Sequence, residues 1–329
     1  MTELHTRQLV ASELGGLWAT YLSDSMIETV YTYFLAKVED ADIKTMLQRT
    51  MDLAKKHKTE KTNIFQKEGH VLPAGFNKAD VHVDVPKLFT DEFMLYYTKQ
   101  AIQGALSSYN GITPHTLRKD VREHFLSCTT SALELFDEMT DLMIAKGLDV
   151  APPIIPYMKE IDMVEKKSFF IGWFGNEQPL TAPEIIQLYA NTLSNDLGVI
   201  LMKGFSQCAK KEEIRDFFIE GKELGKKHVN RFSKYLQNAD LPVPRSNETS
   251  ILNSTESPFS DKLMLNHTAA LIASSIAYYG VALSSCTRTD LLKDFSESLV
   301  EAGIYAGKAS NLLVEHGWLE SPPHAADSE

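Results

Sequence analysis

The sequence predicts an all-α protein made of two tandem four-helix bundles, and three observations support this prediction. Residues 9–73 recur at residues 180–244 with an offset of 171, and the recurrence continues from Phe89 onward with an offset of 170. In both copies, apolar residues follow the helical period of about 3.6 residues over four long stretches. The connections between these stretches are short, long and short in each copy. One module has therefore been used twice.

Helices one and two are the first elements of each copy. Helix one is predicted over residues 9–38, where Leu17 lies on an apolar stripe. Residues 39–41 leave room only for an antiparallel turn into helix two, whose apolar stripe includes His57. The second copy breaks at the matching place, and His228 takes the position of His57.

A long connection then leads to helices three and four. It covers roughly residues 69–86 in the first copy and is rich in proline and glycine. Helix three is predicted to begin at Thr90 or Ser260, whose hydroxyl groups can cap a helix, and helix four ends near Gly147. A helix of ~28 residues is about 42 Å long, whereas ~20 extended residues reach over 60 Å. The connection can therefore cross the whole bundle and make helices two and three parallel, which is the ferritin-like topology with a long crossover.

The repeat also predicts the domain boundaries. The first four-helix bundle is expected over residues 1–155, a linker with a short helix over residues 156–179, and the second four-helix bundle over residues 180–329. The linker carries a dense aromatic patch formed by Phe169, Phe170, Trp173 and Phe174. Such a patch is expected either to pack between the bundles or to dock a partner.

The composition restricts the partners and the compartment. A net charge of −11 without any basic run argues against nucleic acid and anionic membranes as main partners. No stretch approaches the ~20 consecutive apolar residues of a membrane span, and the N-terminus does not resemble a signal peptide. Three cysteines without metal-like spacing indicate reduced, buried thiols. A cytoplasmic protein is therefore expected.

The best-known use of this topology, a carboxylate di-iron centre, needs Glu-x-x-His pairs on two helices. No glutamate in the sequence has a histidine three positions later. Polar residues nevertheless fall on the inner stripes of the helices. In the second copy they are Asn195, His228, His267 and Glu301, and in the first copy Asp24, His57, Tyr97 and Ser131.

Two interpretations of the second-copy residues stay open. Buried polar side chains can hydrogen-bond one another and fix the register of the helices. Alternatively, His228, His267 and Glu301 form a mononuclear Zn or Fe site, with Asn195 as a fourth group, because two imidazoles and a carboxylate are a known ligand set. The sequence contains no P-loop, no Gly-x-Gly-x-x-Gly, no Cys-x-x-Cys and no Gly-x-Ser-x-Gly motif.

Several motifs resemble those of a known family, the tandem-repeat proteins of endospore-forming bacteria grouped as the domain of unknown function numbered 3231. The similar stretches are residues 88–93, 205–207, 240–244, 257–264 and 317–323. The resemblance covers nearly the whole chain and implies a ferritin-like fold related to the spore coat protein F domain. It brings no established activity, so no catalytic residue is carried over from it, and it implies a structural or sporulation-linked role by analogy alone.

These observations lead to one main functional hypothesis and two alternatives. The main hypothesis is a non-enzymatic protein with a structural or assembly role, cytoplasmic or spore-associated, whose partners are further copies of itself or spore-coat proteins. The first alternative is a metal-binding protein or oxidoreductase with a mononuclear site in the second bundle. The second is a small-molecule binder, which a cavity bordered by the same polar groups would favour.

Overall fold

A computed structural model of the protein describes residues 7–148, 151–161, 163–164, 178–244 and 248–325. Its regular structure is helical, which confirms the predicted all-α class and the two tandem halves. The α-helices are α1 (Ala11–Lys37), α2 (Ala41–Lys67), α3 (Asp91–Ile112) and α4 (Lys119–Ala145) in the first half, and α5 (Ala182–Cys208), α6 (Glu212–Asn238), α7 (Asp261–Ser285) and α8 (Thr289–Glu315) in the second.

The chain divides into two compact units that do not coincide with two continuous stretches of sequence. The first unit comprises Met1–Asp149, Leu252–Met264 and His316–Glu329, and the second comprises Val150–Ile251 and Leu265–Glu315. The predicted boundaries at residues 155 and 180 stay a prediction. The described residues between 156 and 179 form no helix. The rest of the predicted linker, including its aromatic patch, lies outside the described residues.

In the first unit, α2 and α3 run in the same direction. The Asp91 carboxylate accepts hydrogen bonds from the backbone N–H groups of Glu39 and Asp40, at 3.0 and 2.8 Å, so α3 begins beside the start of α2. Farther along both helices, the rings of His57 and Tyr109 lie 6.4 Å apart. The connection between α2 and α3 therefore crosses the length of the bundle, as predicted.

In the second unit, α6 and α7 likewise run parallel. Near the start of α7, the His267 ring lies against Phe205, which also contacts Phe218 near the start of α6. Farther along both helices, Nδ1 of His228 in α6 lies 2.9 Å from the hydroxyl group of Tyr279 in α7. Both units thus have the same helix directions.

In each unit, a glutamate at the start of the first helix hydrogen-bonds to the backbone just before the fourth helix. The buried carboxylate of Glu13, at the start of α1, accepts hydrogen bonds from the N–H groups of Leu117 and Arg118 before α4, at 2.8 and 2.7 Å. Glu184 does the same for Thr287 and Arg288 before α8, at 3.0 Å each. These carboxylates satisfy backbone donors that a helix start leaves unpaired.

The later segments of the first unit pack against its earlier part. Phe259 is buried, and its ring lies 5.4 Å from the ring of Tyr33. The Ser260 hydroxyl donates to Asp80 at 2.7 Å, and the Glu320 carboxylate accepts from the Ala74 N–H at 2.7 Å. Residues from the second sequence copy therefore complete this unit.

The three cysteines, Cys128, Cys208 and Cys286, are buried and free, as expected. One helix of the described residues, α7, meets the length and composition criteria for a membrane span, with a mean hydropathy of 1.3 over its most apolar window. A core helix of a soluble bundle meets the same criteria, and Ile272 and Tyr279 of α7 are buried within the second unit. This single helix is weak evidence for a span.

Candidate functional site

Each bundle contains a pocket of about 70 Å³ at the level of its buried histidine on helix two. Every residue that lines the first pocket has a repeat counterpart that lines the second. The pairs in which both residues are polar or small are Asp24 and Asn195, Thr50 and Gly221, Ala54 and Gly225, His57 and His228, Ala105 and Ser275, Tyr109 and Tyr279, and Ala132 and Ala302. The pocket is therefore a duplicated feature of the fold.

The first pocket has a buried ion pair in its wall. The Lys61 ammonium donates to the Asp24 carboxylate at 2.5 Å, and the two side chains are 0% and 8% exposed. Burial raises the pKa of Asp24 to about 6, although the Lys61 charge opposes this rise. Two opposite charges are held together here because either one alone would be costly in this environment.

Two neutral imidazoles accompany this pair. The Ser131 hydroxyl lies 3.3 Å from Nε2 of His57, while Nδ1 of His124 lies 2.8 Å from Glu60. Burial and then the Lys61 charge lower the pKa of His57 to about 4 and that of His124 to about 3. At neutral pH both rings are therefore uncharged.

The second pocket has a different polar wall, a chain of four side chains that we call the relay: Asn195, Tyr279, His228 and Glu301. The Tyr279 hydroxyl lies 2.9 Å from Oδ1 of Asn195 and 2.9 Å from Nδ1 of His228. Nε2 of His228 lies 2.9 Å from the Glu301 carboxylate. The relay leads from the pocket wall to a carboxylate whose side chain is 26% exposed.

Charged neighbours hold Glu301 in its ionised form. Lys227 donates to it at 2.9 Å and Arg231 at 3.3 Å. Partial burial opposes ionisation, but the hydrogen bonds from Lys227 and His228 and the Arg231 charge bring the pKa of Glu301 down to about 2. Burial lowers the pKa of His228, although Glu301 acts in the opposite direction.

The structure brings together three of the four predicted metal-site residues of the second bundle. Tyr279 links Asn195 to His228, and His228 contacts Glu301 directly. His267 lies apart, with its ring centroid 5.9 Å from that of Phe205. About twelve residues separate it from Tyr279 along α7, which is about 18 Å. The ligand set His228, His267 and Glu301 is therefore not assembled. Among the described residues, no group of three His, Cys, Asp or Glu side chains is arranged to hold a metal ion.

In the first bundle, too, a predicted site residue on the third helix lies too close to the start of that helix to reach the site. Tyr97, which was expected near His57, instead lies 5.3 Å from the Phe34 ring, and Tyr109 takes its place beside His57. The physical reason is the parallel course of the second and third helices, which begin at the same end. Residues at equal distances from the two helix starts share a level, and Tyr97 lies too early along α3.

The sequence did not single out Tyr279, Lys61, Tyr109 or His124 as site residues, although signals for the first two exist in it. The tyrosine of the relay, Tyr279, lies about as far into α7 as His228 lies into α6. Lys61 lies four residues after His57, on the same face of α2. The repeat pairs Asp24 with Asn195 and Lys61 with Phe232, so both charges change together.

Comparisons with known proteins agree with the repeat. The family model described as Protein of unknown function (DUF3231) matches the chain twice, over residues 2–161 and 168–329. No curated protein matches the chain significantly. Among solved structures, a proposed spore coat protein of Bacillus halodurans C-125 is similar at 17% identity and a TM-score of 0.44, over 47% of this chain and 100% of its own. A structural likeness at this level supports no conclusion about fold or role.

Proposed function

This chain belongs to the family described as Protein of unknown function (DUF3231), and on that premise we propose that each of its bundles binds a small molecule in its core. One observation carries this proposal, namely the pocket that recurs with the same lining positions in both bundles. Apolar walls with a few convergent polar groups are typical of ligand sites.

The size of the pocket limits the ligand. A cavity of about 150 Å³ holds benzene, so about 70 Å³ has room for roughly half of such a molecule. Both pockets are partly open to solvent, so a longer apolar chain can extend outward while its polar end occupies the pocket. The expected ligand is therefore slender rather than broad.

Compensating residue differences between the two bundles support a functional role for the empty volume of the pocket. In the first pocket Thr50 and Leu135 line the wall, and in the second Gly221 and Tyr305 take their positions. The larger Tyr305 packs over the glycine and donates its hydroxyl to the Phe217 carbonyl at 2.7 Å. Relative to the first pocket, the second has one smaller and one larger wall residue, and the two pocket volumes are equal. Protein cores are otherwise filled.

A titration with 1-butanol, followed in ¹H–¹⁵N NMR spectra of the full chain, tests this proposal. We expect saturable shifts for residues around both pockets. Ala105→Leu should block the first pocket and Ser275→Leu the second, each without affecting the other, because the two residues occupy the same half-buried position in their bundles. Linear shifts without saturation, or shifts that both variants leave intact, would refute it.

A second candidate function is the assembly role that the sequence predicted, and exposed apolar rows favour it. On α4, Leu126, Leu133 and Ile144 share one face and are 50%, 54% and 57% exposed. On α8, Val300, Ile304 and Val314 are 57%, 62% and 62% exposed. A chain with such a row on each bundle has two places for further copies of itself, which we propose as the occupants. In the cell, we propose that this assembly takes place in association with the spore.

The assembly role is tested by light scattering coupled to size-exclusion chromatography. We expect the native chain to form oligomers whose mass falls to that of a monomer when Leu126 and Leu133 are both replaced by Lys. Ser127→Lys, on the neighbouring exposed face of α4, is the matched control and should leave the mass unchanged. A native chain that is monomeric at ~100 μM would exclude self-association; a spore-coat partner would then have to be sought directly.

A further inference from the structure

The imidazole and the phenol that line the first pocket do not bond each other, unlike their counterparts in the second. In the second pocket the Tyr279 hydroxyl lies 2.9 Å from Nδ1 of His228. In the first pocket the corresponding hydroxyl, that of Tyr109, forms no hydrogen bond with a described residue. The ring centroids of His57 and Tyr109 are 6.4 Å apart, against 5.6 Å for His228 and Tyr279. The first pocket therefore has a gap where the second has a direct hydrogen bond.

Both groups at this gap are buried. Tyr109 and His57 are each 5% exposed, and both line the first pocket. A buried polar group without a partner is unfavourable, and buried hydroxyl groups in proteins are nearly always hydrogen-bonded. The space that the Tyr109 hydroxyl reaches is the pocket itself, so a partner for it is expected among molecules that enter the pocket.

The contacts of His57 show which of its nitrogens accepts a hydrogen bond. Nε2 lies 3.3 Å from the Ser131 hydroxyl. This hydroxyl lies closer to the backbone carbonyl oxygens of Ser127 and Cys128, at 2.9 and 3.2 Å, and a carbonyl oxygen can only accept. The single hydrogen of Ser131 is therefore used on the backbone, so Nε2 donates to Ser131. In a neutral imidazole the other nitrogen, Nδ1, then accepts.

The repeat gives the direction in which Nδ1 faces. In the second bundle Nε2 of His228 faces Glu301 in α8, and Nδ1 faces Tyr279 in α7. In the first bundle Nε2 of His57 likewise faces Ser131 in α4. The ring thus has the same orientation, with Nδ1 on the side of α3 and Tyr109. Among the residues that the structure describes, none donates a hydrogen bond to it.

The charges in the pocket wall favour a neutral ligand group. The Asp24 carboxylate accepts from the Lys61 ammonium, and this buried pair balances its own charges. A charged ligand group would add a buried charge without a partner, which is costly. The group that fits must therefore be uncharged, donate to Nδ1 of His57 and share a hydrogen bond with the Tyr109 hydroxyl.

We propose that the first pocket takes a small neutral molecule whose hydroxyl group donates to Nδ1 of His57 and accepts from the Tyr109 hydroxyl. The proposal rests on the function proposed above and names the ligand class of this pocket, a short-chain alcohol. The hydroxyl of the ligand bridges the two groups that bond directly in the second bundle. Its apolar chain lies against the apolar wall, which includes Ile102.

The second pocket serves as an internal comparison in the same molecule. Tyr279 and His228 already bond each other there, so an incoming hydroxyl group would have to replace an existing hydrogen bond. Ser194 also lines that pocket but is half-buried, so water can reach it. We therefore expect the second pocket to discriminate less between ligands with and without a hydroxyl group.

Two isomeric probes test this inference by NMR titration of the full chain. 1-Butanol and diethyl ether contain the same atoms, but only 1-butanol can donate a hydrogen bond. We expect the ratio of their affinities, 1-butanol over diethyl ether, to be about two- to tenfold higher at the first pocket than at the second, the range that one net hydrogen bond provides. Comparing the two pockets cancels the different hydration of the probes.

His57→Leu and Tyr109→Phe separate the two bonds of the ligand. His57→Leu removes the acceptor, so the affinity ratio at the first pocket should fall to that of the second pocket. Tyr109→Phe removes a donor that either probe can use, so both affinities should fall by about two- to tenfold while their ratio stays the same.

The matched variants Tyr109→Phe and Tyr279→Phe test the gap in the absence of any probe. Tyr279→Phe breaks hydrogen bonds to Asn195 and His228 and should lower the Tm. Tyr109→Phe removes a hydroxyl without a partner among the described side chains, so the Tm should stay the same or rise. Thermal unfolding followed by circular dichroism measures both.

The outcomes separate this inference from the proposed function. Equal affinity ratios at the two native pockets would overturn the hydroxyl preference and leave pocket binding intact. A high ratio that survives in His57→Leu, or an equal loss of Tm in the two tyrosine variants, would also overturn it. Failure of both probes to bind the first pocket would overturn the proposed function of that pocket and the inference with it.

Discussion

The two pockets are lined from the same positions of a duplicated bundle, but their charged side chains are placed differently. The first places an ion pair, Asp24 with Lys61, inside the bundle. The second replaces these residues by Asn195 and Phe232 and moves the charge outward to Glu301, beside Lys227 and Arg231. The two bundles therefore share the cavity and the imidazole but differ in the charges around them.

The ion pair gives the largest expected effect. Lys61→Met should destabilise the first bundle by about 3–5 kcal/mol, because it leaves Asp24 buried without a partner. The double variant Asp24→Asn with Lys61→Phe copies the second bundle and should recover most of this loss. Urea unfolding followed by circular dichroism measures both. A double variant as unstable as the single one would show that the two bundles are not interchangeable at this level.

How far the sequence predicts this arrangement depends on which interactions are local. Helix number, the crossover and the buried positions of His57 and His228 follow from periodicity and connection lengths, which are properties of neighbouring residues. The pairing of His228 with Tyr279 depends on the relative heights of two separate helices. A periodic pattern defines which face of a helix is buried but not its axial register against another helix, and for this reason His267 and Tyr97 were assigned to the wrong level.

A second test concerns the pH dependence of the first bundle. The pKa of His57 is near the ordinary histidine value of 6.5 in the unfolded chain, but burial lowers it to about 4 in the folded protein. The unfolded state thus binds the extra proton between these values, so stability should fall as the pH falls from 6.5 to 4, by up to about 3 kcal/mol. Asp24, with its raised pKa, contributes a slope of opposite sign between about 4 and 6.

The variant His57→Gln isolates the contribution of the imidazole. Because glutamine does not titrate, we expect a flatter dependence of the free energy of unfolding on pH between 4 and 6.5. Urea unfolding at several pH values measures the slope, with Gln48→His as an exposed control that should change little. An unchanged slope in His57→Gln would mean that the ring is not desolvated as described.

The compensating pair in the second pocket gives a smaller effect. A Cβ atom at Gly221 would lie 2.1 Å from the Tyr305 hydroxyl oxygen. Gly221→Thr should therefore cost about 1–3 kcal/mol by overpacking, whereas Gly221→Thr with Tyr305→Leu restores the combination found in the first bundle and should cost less. A double-mutant cycle measures this coupling, and additive effects would argue against it.

The smallest expected effect concerns metal. Since His267 is remote from His228 and Glu301, protein purified without added metal should contain far less than one equivalent of Zn or Fe, and His228→Gln and His267→Gln should not alter that content. Elemental analysis of the native chain measures it. Stoichiometric metal that either variant removes would revive the mononuclear site predicted from the sequence.

The composition of the first unit has a consequence for biosynthesis. Phe259 packs on Tyr33 and Ser260 bonds to Asp80, yet both are translated about 180 residues or more after their partners, and Glu320 is translated later still. Domains generally fold in the order in which they are made. Until Phe259 has been translated, the N-terminal bundle therefore leaves the Tyr33 ring uncovered. During this interval the exposed ring is a site that chaperones can bind.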